Sequence, residues 1–217
     1  IARFSIPKSD ARYTVSRPIA QALSEKFGTD FEVIHNYPLA IERIGQTSRQ
    51  HRRIVYVGVL NQGRGIEQMI EAMLHIDAQL WLVGKGDIEE HLKEKVKTLY
   101  LKDKVKFTGF LNRTKVIEIL NSGSIGINLL ENNSLSYRYS LANKFFDYVQ
   151  YGLPQITMDF PTYKKMNEKH EVAILLADLK IETLVATLSE LLDNEIKWQQ
   201  LHAATLQARS EWTWEQE

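Results

Sequence analysis

A repeated unit of buried strand, glycine turn and amphipathic helix constrains the fold of this chain more than any other feature. Short apolar runs at 53–57, 79–83 and 105–108 each stop at a glycine, and each precedes apolar residues with helical spacing. The glycines are Gly58, Gly84 and Gly109. This order predicts an α/β fold, with a Rossmann-like parallel sheet flanked by helices. Because ligands of such sheets bind beyond the carboxyl ends of the strands, the three turns are candidate binding loops.

The same pattern continues to the C-terminus, whereas the N-terminal region differs. Further strands are predicted in IGINLL (125–130), QITM and VAILL, and further helices in the stretch after Asn112, in KFFDYVQY and in 181–192. Before the first apolar run, RPIAQALSEKFG predicts a short helix and FEVIH a short strand. The poorly apolar stretch that comes after them indicates a linker.

The composition excludes several classes of protein. Lysine plus arginine and aspartate plus glutamate number 27 each, without the basic excess of a nucleic-acid binder. The chain contains no cysteine, which excludes disulfides, zinc–cysteine sites and thiol catalysis. The six histidines are scattered, with no i,i+4 pair to indicate a metal site. No apolar run approaches the roughly 18 residues of a membrane span.

The stretch GVLNQGRG, residues 58–65, resembles a phosphate-binding loop without matching one. A P-loop needs lysine at the phosphates and serine or threonine at magnesium. Arg64 could supply the charge, but Gly65 cannot hold a metal. A dinucleotide fingerprint would need a third glycine where the chain has Gln68. Two interpretations remain: a tight turn, or a glycine loop whose arginine and following helix N-terminus favour an anion.

A second stretch, SLANKFFDYVQYGLP, carries a cation and a carboxylate near the start of one predicted helix. Ser140 or Asn143 is expected to cap that helix, with Lys144 at its positive end and Asp147 about one turn later. The cation and the N–H groups would suit a diphosphate, and the carboxylate could accept hydrogen bonds from two ribose hydroxyls. The alternative is a surface Lys–Asp pair, which contributes little.

These stretches resemble motifs of retaining glycosyltransferases of the family 4 type. YVGVLNQGRGIEQMIEAM is similar to the family's loop VGRL…KG…LI.A, and NKFFDYVQYGLPQI is similar to NKLFEYMAAGKPVI. LWLVGKGDIEEHLKEKVKTLYLKDKVKFTGFL matches the stretch between them, and the tail EWTWEQE resembles the aromatic start of the family's last helix. The resemblance covers about residues 31–217. It implies the C-terminal, donor-binding half of a GT-B fold.

The resemblance also implies a role for each matching position. Arg64 stands where the family has its phosphate-binding lysine, and Asp147 stands at the second glutamate of a pair that holds the ribose. The backbone at Phe110 and Leu111 is expected to meet the base. Further phosphate contacts are expected from Gly58, Asn143 and Lys144, and a donor-sugar region from Gly86, Tyr139, Ser140 and Leu141.

Two positions depart from the family pattern. The family's arginine after the first glycine is Val59 here, and Lys144 is a candidate replacement for its charge. The first glutamate of the ribose pair is Tyr139, which leaves the donor sugar open.

The resemblance also divides the chain into parts. Residues 1–39 resemble the end of the family's N-terminal domain, 40–52 are the predicted linker, and 53–217 are the nucleotide-sugar-binding domain. The acceptor site and the catalytic base are expected in the N-terminal domain, so the catalytic residues are unknown and this chain alone is expected to be inactive.

The implied function is transfer of a sugar from a UDP or GDP sugar to a sugar, lipid-linked or other acceptor, with retention of configuration, as in polysaccharide biosynthesis. Arg64, Lys144 and a helix N-terminus would stabilise the leaving diphosphate without a metal or other cofactor. The rival hypothesis is a non-catalytic nucleotide-sugar-binding or assembly module, which the changes at Val59 and Tyr139 favour. We expect a cytoplasmic protein without nucleic-acid partners. Peripheral association with the inner face of the membrane, through the N-terminal half, is the alternative.

Overall fold

The computed structural model describes residues 2–41 and 51–217, so most of the predicted linker lies outside the described residues. Two short strands form a small parallel pair, Tyr13–Thr14 (β1) and Glu32–Val33 (β2). The main sheet has six strands: Arg53–Val57 (β3), Gln79–Val83 (β4), Val105–Gly109 (β5), Ile125–Asn128 (β6), Gln155–Met158 (β7) and Ala173–Leu176 (β8).

The α-helices of the described residues are, in chain order, Ala2–Ser5 (α1), Arg17–Phe27 (α2), Ile66–Ala72 (α3), Glu89–Thr98 (α4), Arg113–Asn121 (α5), Leu135–Arg138 (α6), Asn143–Gln150 (α7), Pro161–Lys169 (α8), Ile181–Asp193 (α9) and Glu195–Glu211 (α10). Single turns of 3-10 helix occupy Ile6–Lys8 and Trp214–Gln216. Helices cover both faces of the main sheet. Alternate side chains of β3 accordingly enter two separate apolar clusters, one on each face. Ile54 and Tyr56 belong to the larger cluster and Val55 to the smaller one.

The main sheet is wholly parallel, with the strand order β5-β4-β3-β6-β7-β8. The chain therefore builds outward from β3 in one direction and then restarts at β6 in the other. This order is that of a doubly wound Rossmann-type sheet, and its topological switch point lies between β3 and β6. The predicted α/β fold class is confirmed.

The predicted strands at 53–57, 79–83 and 105–108 are confirmed to within one residue. The strands predicted in IGINLL and FEVIH are shorter than expected, at Ile125–Asn128 and Glu32–Val33. Helices α1, α6, α8 and α10 and strand β1 were not predicted. The longest of them, α10, buries only Trp198, Leu201, Thr205 and Ala208, so polar and small residues obscure the helical period of its apolar face.

The N-terminal segment, which is residues 2–41, packs against the end of the chain. The Trp214 N–H donates to the Pro38 carbonyl at 2.9 Å, and the Ala40 N–H donates to a carboxylate oxygen of Glu215 at 3.1 Å. Trp212, which is 1% exposed, packs its ring edge-on against Phe146 of α7. The tail therefore joins the N-terminal segment to the domain built on the main sheet.

Helix α4 ends in a Schellman motif with an unusual residue at its left-handed position. The Leu101 N–H donates to the Val96 carbonyl at 2.9 Å, and the Tyr100 N–H donates to the Lys97 carbonyl at 3.1 Å. Tyr100 has a φ of +56° and is 94% exposed. Glycine is the usual residue there, because a Cβ in the left-handed region costs about 1–2 kcal/mol. The fold therefore bears strain at Tyr100 without a packing contact to compensate for it.

We predict that Tyr100→Gly raises the free energy of unfolding by about 1 kcal/mol, because it removes this strain and loses little contact. Gly28→Ala is the matched control. Gly28 ends α2 with a φ of +66° and has no atom within 4 Å of an added Cβ, so that variant should lose about 1 kcal/mol. Urea denaturation measures both, and a Tyr100→Gly variant no more stable than the parent would contradict the strain assignment.

Candidate functional site

The switch point of the sheet is held open by the hydroxyl of Tyr148. Strands β3 and β6 pair only at Ile54–Ile125 and Val55–Gly126. Beyond that register, the Tyr148 hydroxyl accepts from the Val57 N–H and donates to the Ile127 carbonyl, each at 3.1 Å. One side chain thus satisfies the backbone groups that the parting strands leave unpaired, and a crevice opens at their carboxyl ends.

The glycine turns bring the ends of β3, β4 and β5 into close backbone contact. The Gly58 N–H donates to the Val83 carbonyl at 2.9 Å, and the Gly84 N–H donates to the Gly109 carbonyl at 3.1 Å. A Cβ at Gly84 would lie 1.9 Å from the Gly58 carbonyl oxygen, and its φ is +144°. Only glycine fits at this position. This close approach of Gly84 to Gly58 fixes the course of the loop after β3 across the carboxyl ends of the strands.

Lys144, the second residue of α7, reaches into the loop after β3. It is 8% exposed, and its Nζ lies 3.6 Å from the centroid of the Tyr56 ring. The same Nζ is 3.0 Å from where a Cβ on Gly58 would lie. It makes no hydrogen bond within the described part of the chain. Burial, together with the charge of Arg64, holds the pKa of Lys144 well below its usual range.

Arg64 approaches the same place from the other end of the glycine loop. It is half-buried, and its Nε is a buried donor without a partner among the described residues. The Tyr56 hydroxyl donates to the Val59 carbonyl at 2.8 Å. Burial raises the pKa of Tyr56 to about 12, against the opposing effect of the charge and hydrogen bond of Arg64. Tyr56 therefore separates the two cations, with Lys144 over its ring and Arg64 at its hydroxyl.

This pair of cations is a candidate site for an anion. Arg64 and Lys144 repel each other, and no carboxylate of the described residues pairs with either. Removing a charge from water without a partner costs several kcal/mol. A ligand with at least two negative charges would compensate for both at once, and it would meet them at the switch point, where ligands of such sheets bind. A diphosphate has the charge and the extent required.

An apolar cleft of about 270 Å³ opens beside the cations, at the carboxyl ends of β3, β4 and β5. The predicted base-binding residues both line it, with Leu111 half-buried and Phe110 81% exposed at the rim. The lining residues are Val57, Gly58, Val59, Val83, Gly84, Lys85, Phe110, Leu111 and Val116. A planar ring is the kind of group that such a cleft suits.

Asp147 lies three residues after Lys144 on α7, so the two side chains share one face of the helix. Asp147 is half-buried, and its burial raises the pKa of the carboxyl, while the charge of Arg113 opposes that shift. Arg113 begins α5, whose Val116 lines the apolar cleft. The carboxylate therefore lies about one helical turn from Lys144 and within the influence of Arg113, the first residue of the helix that lines the cleft.

The predicted capping of α7 is wrong. The residue at the N-cap is Ala142, and no side chain caps the helix. Asn143 is the first helical residue and is exposed, and its Oδ1 accepts instead from the Asn36 side chain. The hydroxyl of Ser140 lies 3.3 Å from the Tyr163 hydroxyl. The sequence suggested a cap because both residue types favour that role, but tertiary hydrogen bonds engage both side chains elsewhere.

The structure places the residues of the predicted donor-sugar region at two points. A Cβ at Gly86 would lie 2.2 Å from the Leu60 carbonyl oxygen, so Gly86 packs tightly against the glycine loop. Tyr139 and Ser140 are half-buried before α7, whereas Leu141 is 5% exposed and belongs to the core. A larger cleft, of about 360 Å³ between the N-terminal segment and α8, contains none of the predicted residues.

Sequence reasoning missed Tyr56, Tyr148 and Asn36. Both tyrosines lie within apolar runs, where their rings are ordinary core residues and only the positions of their hydroxyls reveal a further role. Asn36 is distant in sequence from the residues that it bonds. In 2–41 and 51–217, no group of three or more histidine, aspartate or glutamate side chains could hold a metal ion. None of the helices described is long and apolar enough to cross a membrane.

Comparisons of fold agree with this architecture. HepE of Anabaena, in complex with UDP and glucose, superposes with a TM-score of 0.78 at 15% identity, over 94% of this chain and 59% of that one. Sucrose-phosphate synthase of Thermosynechococcus elongatus gives 0.78 at 16% identity, over 95% and 55%. The pneumococcal O-GlcNAc transferase GtfA, in complex with UDP and GlcNAc, gives 0.73 at 14% identity, over 98% and 44%. The chain thus spans roughly half the length of these proteins.

Comparisons of sequence give the family. An uncharacterized glycosyltransferase of Methanocaldococcus jannaschii is 32% identical over 78 residues, which are 34% of this chain and 20% of that protein. Residues 41–209 match the family described as glycosyl transferases group 1, and this match covers the main sheet, the glycine loop and α7. The chain therefore belongs to the group 1 glycosyl transferases, and its fold is that of a domain of the GT-B glycosyltransferases.

Proposed function

We propose that this domain binds a nucleotide-diphosphate sugar and that the full-length protein transfers the sugar with retention of configuration. The observation that carries the proposal is the pair of partly or fully buried cations, Arg64 and Lys144, at the switch point without carboxylate partners. In the bound state the diphosphate oxygens would accept hydrogen bonds from the side chains of both residues. During transfer, the bond between sugar and diphosphate breaks, and the charge that develops on the leaving phosphate would be stabilised by the same two groups.

Uridine is the nucleoside that the apolar cleft favours. Among its lining residues, Lys85 is the only one with a charged or hydrogen-bonding side chain. Guanine presents an N–H and an amino group side by side on one edge, and no side chain of the cleft could accept from them, whereas the single N–H of uracil and its carbonyl groups can be met by one backbone carbonyl and one N–H, such as those of Leu111. Two of the solved structures with this fold contain UDP. We therefore place uracil against Leu111 and Phe110, and the ribose near Asp147.

The proposed reaction uses no metal ion. In metal-dependent transfer, a bound cation neutralises the diphosphate. Here, Arg64 supplies one positive charge from within the protein, and Lys144 supplies a second once the bound diphosphate raises its pKa, beside Gly58 and Tyr56. These fixed charges need no reorganisation as the bond breaks. Binding of UDP should accordingly be unaffected by EDTA.

A non-catalytic sugar-nucleotide-binding module remains the second candidate. Val59, where the resembled family has an arginine, is 48% exposed at the glycine loop and brings no charge to it. Turnover assays on the full-length protein distinguish the two. This chain alone is expected to bind the donor without transferring its sugar, because it spans roughly half the length of the solved relatives and the acceptor site is proposed to lie outside it.

The roles of the two cations can be separated by their effects on binding and stability. Arg64→Ala should weaken UDP binding by about 10- to 150-fold, the equivalent of a charge-assisted hydrogen bond of about 1.5–3 kcal/mol. Lys144→Met should weaken binding similarly, yet raise the free energy of unfolding of the unliganded domain by about 1–3 kcal/mol, because it removes a buried amino group that has no partner among the described residues. Calorimetry and urea denaturation measure the two effects.

Lys102→Met is the matched control, because Lys102 is exposed in the turn before β5 and lines neither the apolar cleft nor the cation pair. Its effects on UDP affinity and on stability should both be small. Unchanged UDP affinity in both Arg64→Ala and Lys144→Met would show that the loop is only a turn.

Binding of the diphosphate should take up a proton. In the unliganded domain, burial and the charge of Arg64 lower the pKa of Lys144, and Tyr56 is the other titratable group in contact with it. A bound diphosphate raises that pKa, so UDP affinity should fall as the pH rises from the unliganded pKa to the liganded one. Between the lowered pKa and about pH 10.4, the unfolded state binds more protons at Lys144 than the folded state does, so the contribution of Lys144 to the stability of the unliganded domain should rise with pH over that range.

Calorimetry of UDP binding in buffers of different ionisation enthalpy measures this proton uptake. Lys144→Met should abolish it. Proton uptake that persists in Lys144→Met would assign the titration to another group.

Asp147 is expected to recognise the ribose hydroxyls. Asp147→Asn keeps the shape but loses the charge, so it should bind UDP about 10-fold more weakly, and its preference for UDP over 2′-deoxy-UDP should be small. Asp147→Glu should retain the preference. If Asp147→Asn discriminates between the two nucleotides as well as the parent does, the carboxylate has only a structural role.

A further inference from the structure

The loop of residues 139–143 connects α6 to α7 and places Lys144 at the start of the second helix. It contains no regular secondary structure before Asn143, so its shape depends on contacts with other parts of the chain. Its position is also informative. The apolar cleft lies on the β4 and β5 side of the cations, whereas the loop leads into α7 after β6, on the other side of the switch point. A group attached to the far end of a diphosphate would meet this loop.

One side of the loop is held by α8. The Tyr163 hydroxyl accepts from the Ala142 N–H at 3.1 Å, and the Thr162 hydroxyl donates to the Tyr139 carbonyl at 3.2 Å. Both residues belong to the same domain as the cations. These contacts are internal to the domain and explain only half of the loop's anchoring.

The other side is held by the N-terminal segment. The Ser16 hydroxyl donates to the Tyr139 carbonyl at 3.1 Å, and Ser16 is 1% exposed. The Asn36 Nδ2 donates to the Leu141 carbonyl at 3.1 Å and also to the Asn143 Oδ1. Ser16 and Asn36, which both precede the predicted linker, therefore hold the carbonyl groups of Tyr139 and Leu141, more than 100 positions further along the chain.

The residues on either side of Asn36 are held by aromatic contacts, which fix the chain at that point. Tyr37 packs edge-on against Phe146 of α7, with ring centroids 5.0 Å apart, and stacks on His35 at 4.9 Å. The Asn36 Oδ1 is buried without a partner among the described residues. Rotation of the amide would replace the donor at the Leu141 carbonyl with this acceptor and lose that hydrogen bond. The contact to Asn143 also keeps that side chain away from the N–H groups of the first turn of α7, which no side chain caps.

We propose that Asn36, assisted by Ser16, is a positioning residue that shapes the 139–143 loop to hold the sugar of the donor. The proposal rests on the proposed function and adds to it that the N-terminal segment controls affinity for the sugar rather than for the nucleotide. Since UDP meets only the cleft, the cations and Asp147, distortion of the loop should change the binding of a UDP sugar more than the binding of UDP.

Calorimetry with UDP, UDP-glucose and UDP-N-acetylglucosamine tests this, and the sugar nucleotide that the parent chain binds more tightly serves as the probe. Asn36→Asp keeps the shape but replaces two N–H donors with an acceptor that repels the Leu141 carbonyl. It should weaken the UDP sugar about 10-fold or more and UDP less than about 3-fold. Ser16→Ala should also weaken binding of the UDP sugar more than binding of UDP. Ser16→Thr keeps the hydroxyl, so its ratio of UDP-sugar affinity to UDP affinity should equal that of the parent.

Asn167→Ala is the matched control, because the Asn167 side chain also bridges backbone groups, those of Val172 and Ala173, but at the far end of α8. It should lower the melting temperature and leave the affinity ratio unchanged. Equal effects of Asn36→Asp on UDP and the UDP sugar, or no effect, would overturn the inference while leaving the proposed function intact. A parent chain that binds neither UDP nor a UDP sugar would overturn the proposed function itself.

Discussion

The hydroxyl of Tyr148 is the contact on which the site depends. A parallel sheet normally pairs its backbone groups along the full length of neighbouring strands, and such a sheet would leave no crevice between β3 and β6. By accepting from Val57 and donating to Ile127, Tyr148 lets these strands part without leaving either group unsatisfied. Its ring lies against Gly126, where an added Cβ would come within 2.5 Å of it. A phenol and a glycine together therefore create the opening in which the cations lie.

The cations show a conflict between stability and function within one domain. Lys144 has apolar and aromatic surroundings, no hydrogen-bond partner in the described chain and a like charge nearby. A sequence selected for stability alone would place a methionine or leucine there. The arrangement makes physical sense when an anionic ligand completes it. For this reason, the unfavourable burial of Lys144 is better support for a diphosphate site than the glycine loop alone.

The sequence predicts the fold well, because the strands of a parallel sheet are continuous apolar runs and three of them end at glycines. It also predicts that Arg64, Lys144 and Asp147 belong near the carboxyl ends of strands. It does not predict how the loop before α7 is anchored. The capping role expected of Ser140 or Asn143 follows from local preferences, which lose here to hydrogen bonds with Tyr163 and Asn36. Contacts between residues distant in sequence have no periodic signal that could reveal them.

Three tasks fall on a single helix of eight residues. Helix α7 carries Lys144 for the proposed phosphate contact, Asp147 for the proposed ribose contact and Tyr148 for the sheet. Each residue inserted into a helix rotates the later side chains about the helix axis by about 100°. An insertion or deletion inside α7 would therefore carry at least one of these groups away from its place, whereas the loop from Glu131 to Ser134, which is largely exposed, can change in length. Natural length variation in relatives should accordingly collect before α6 and be absent from α7.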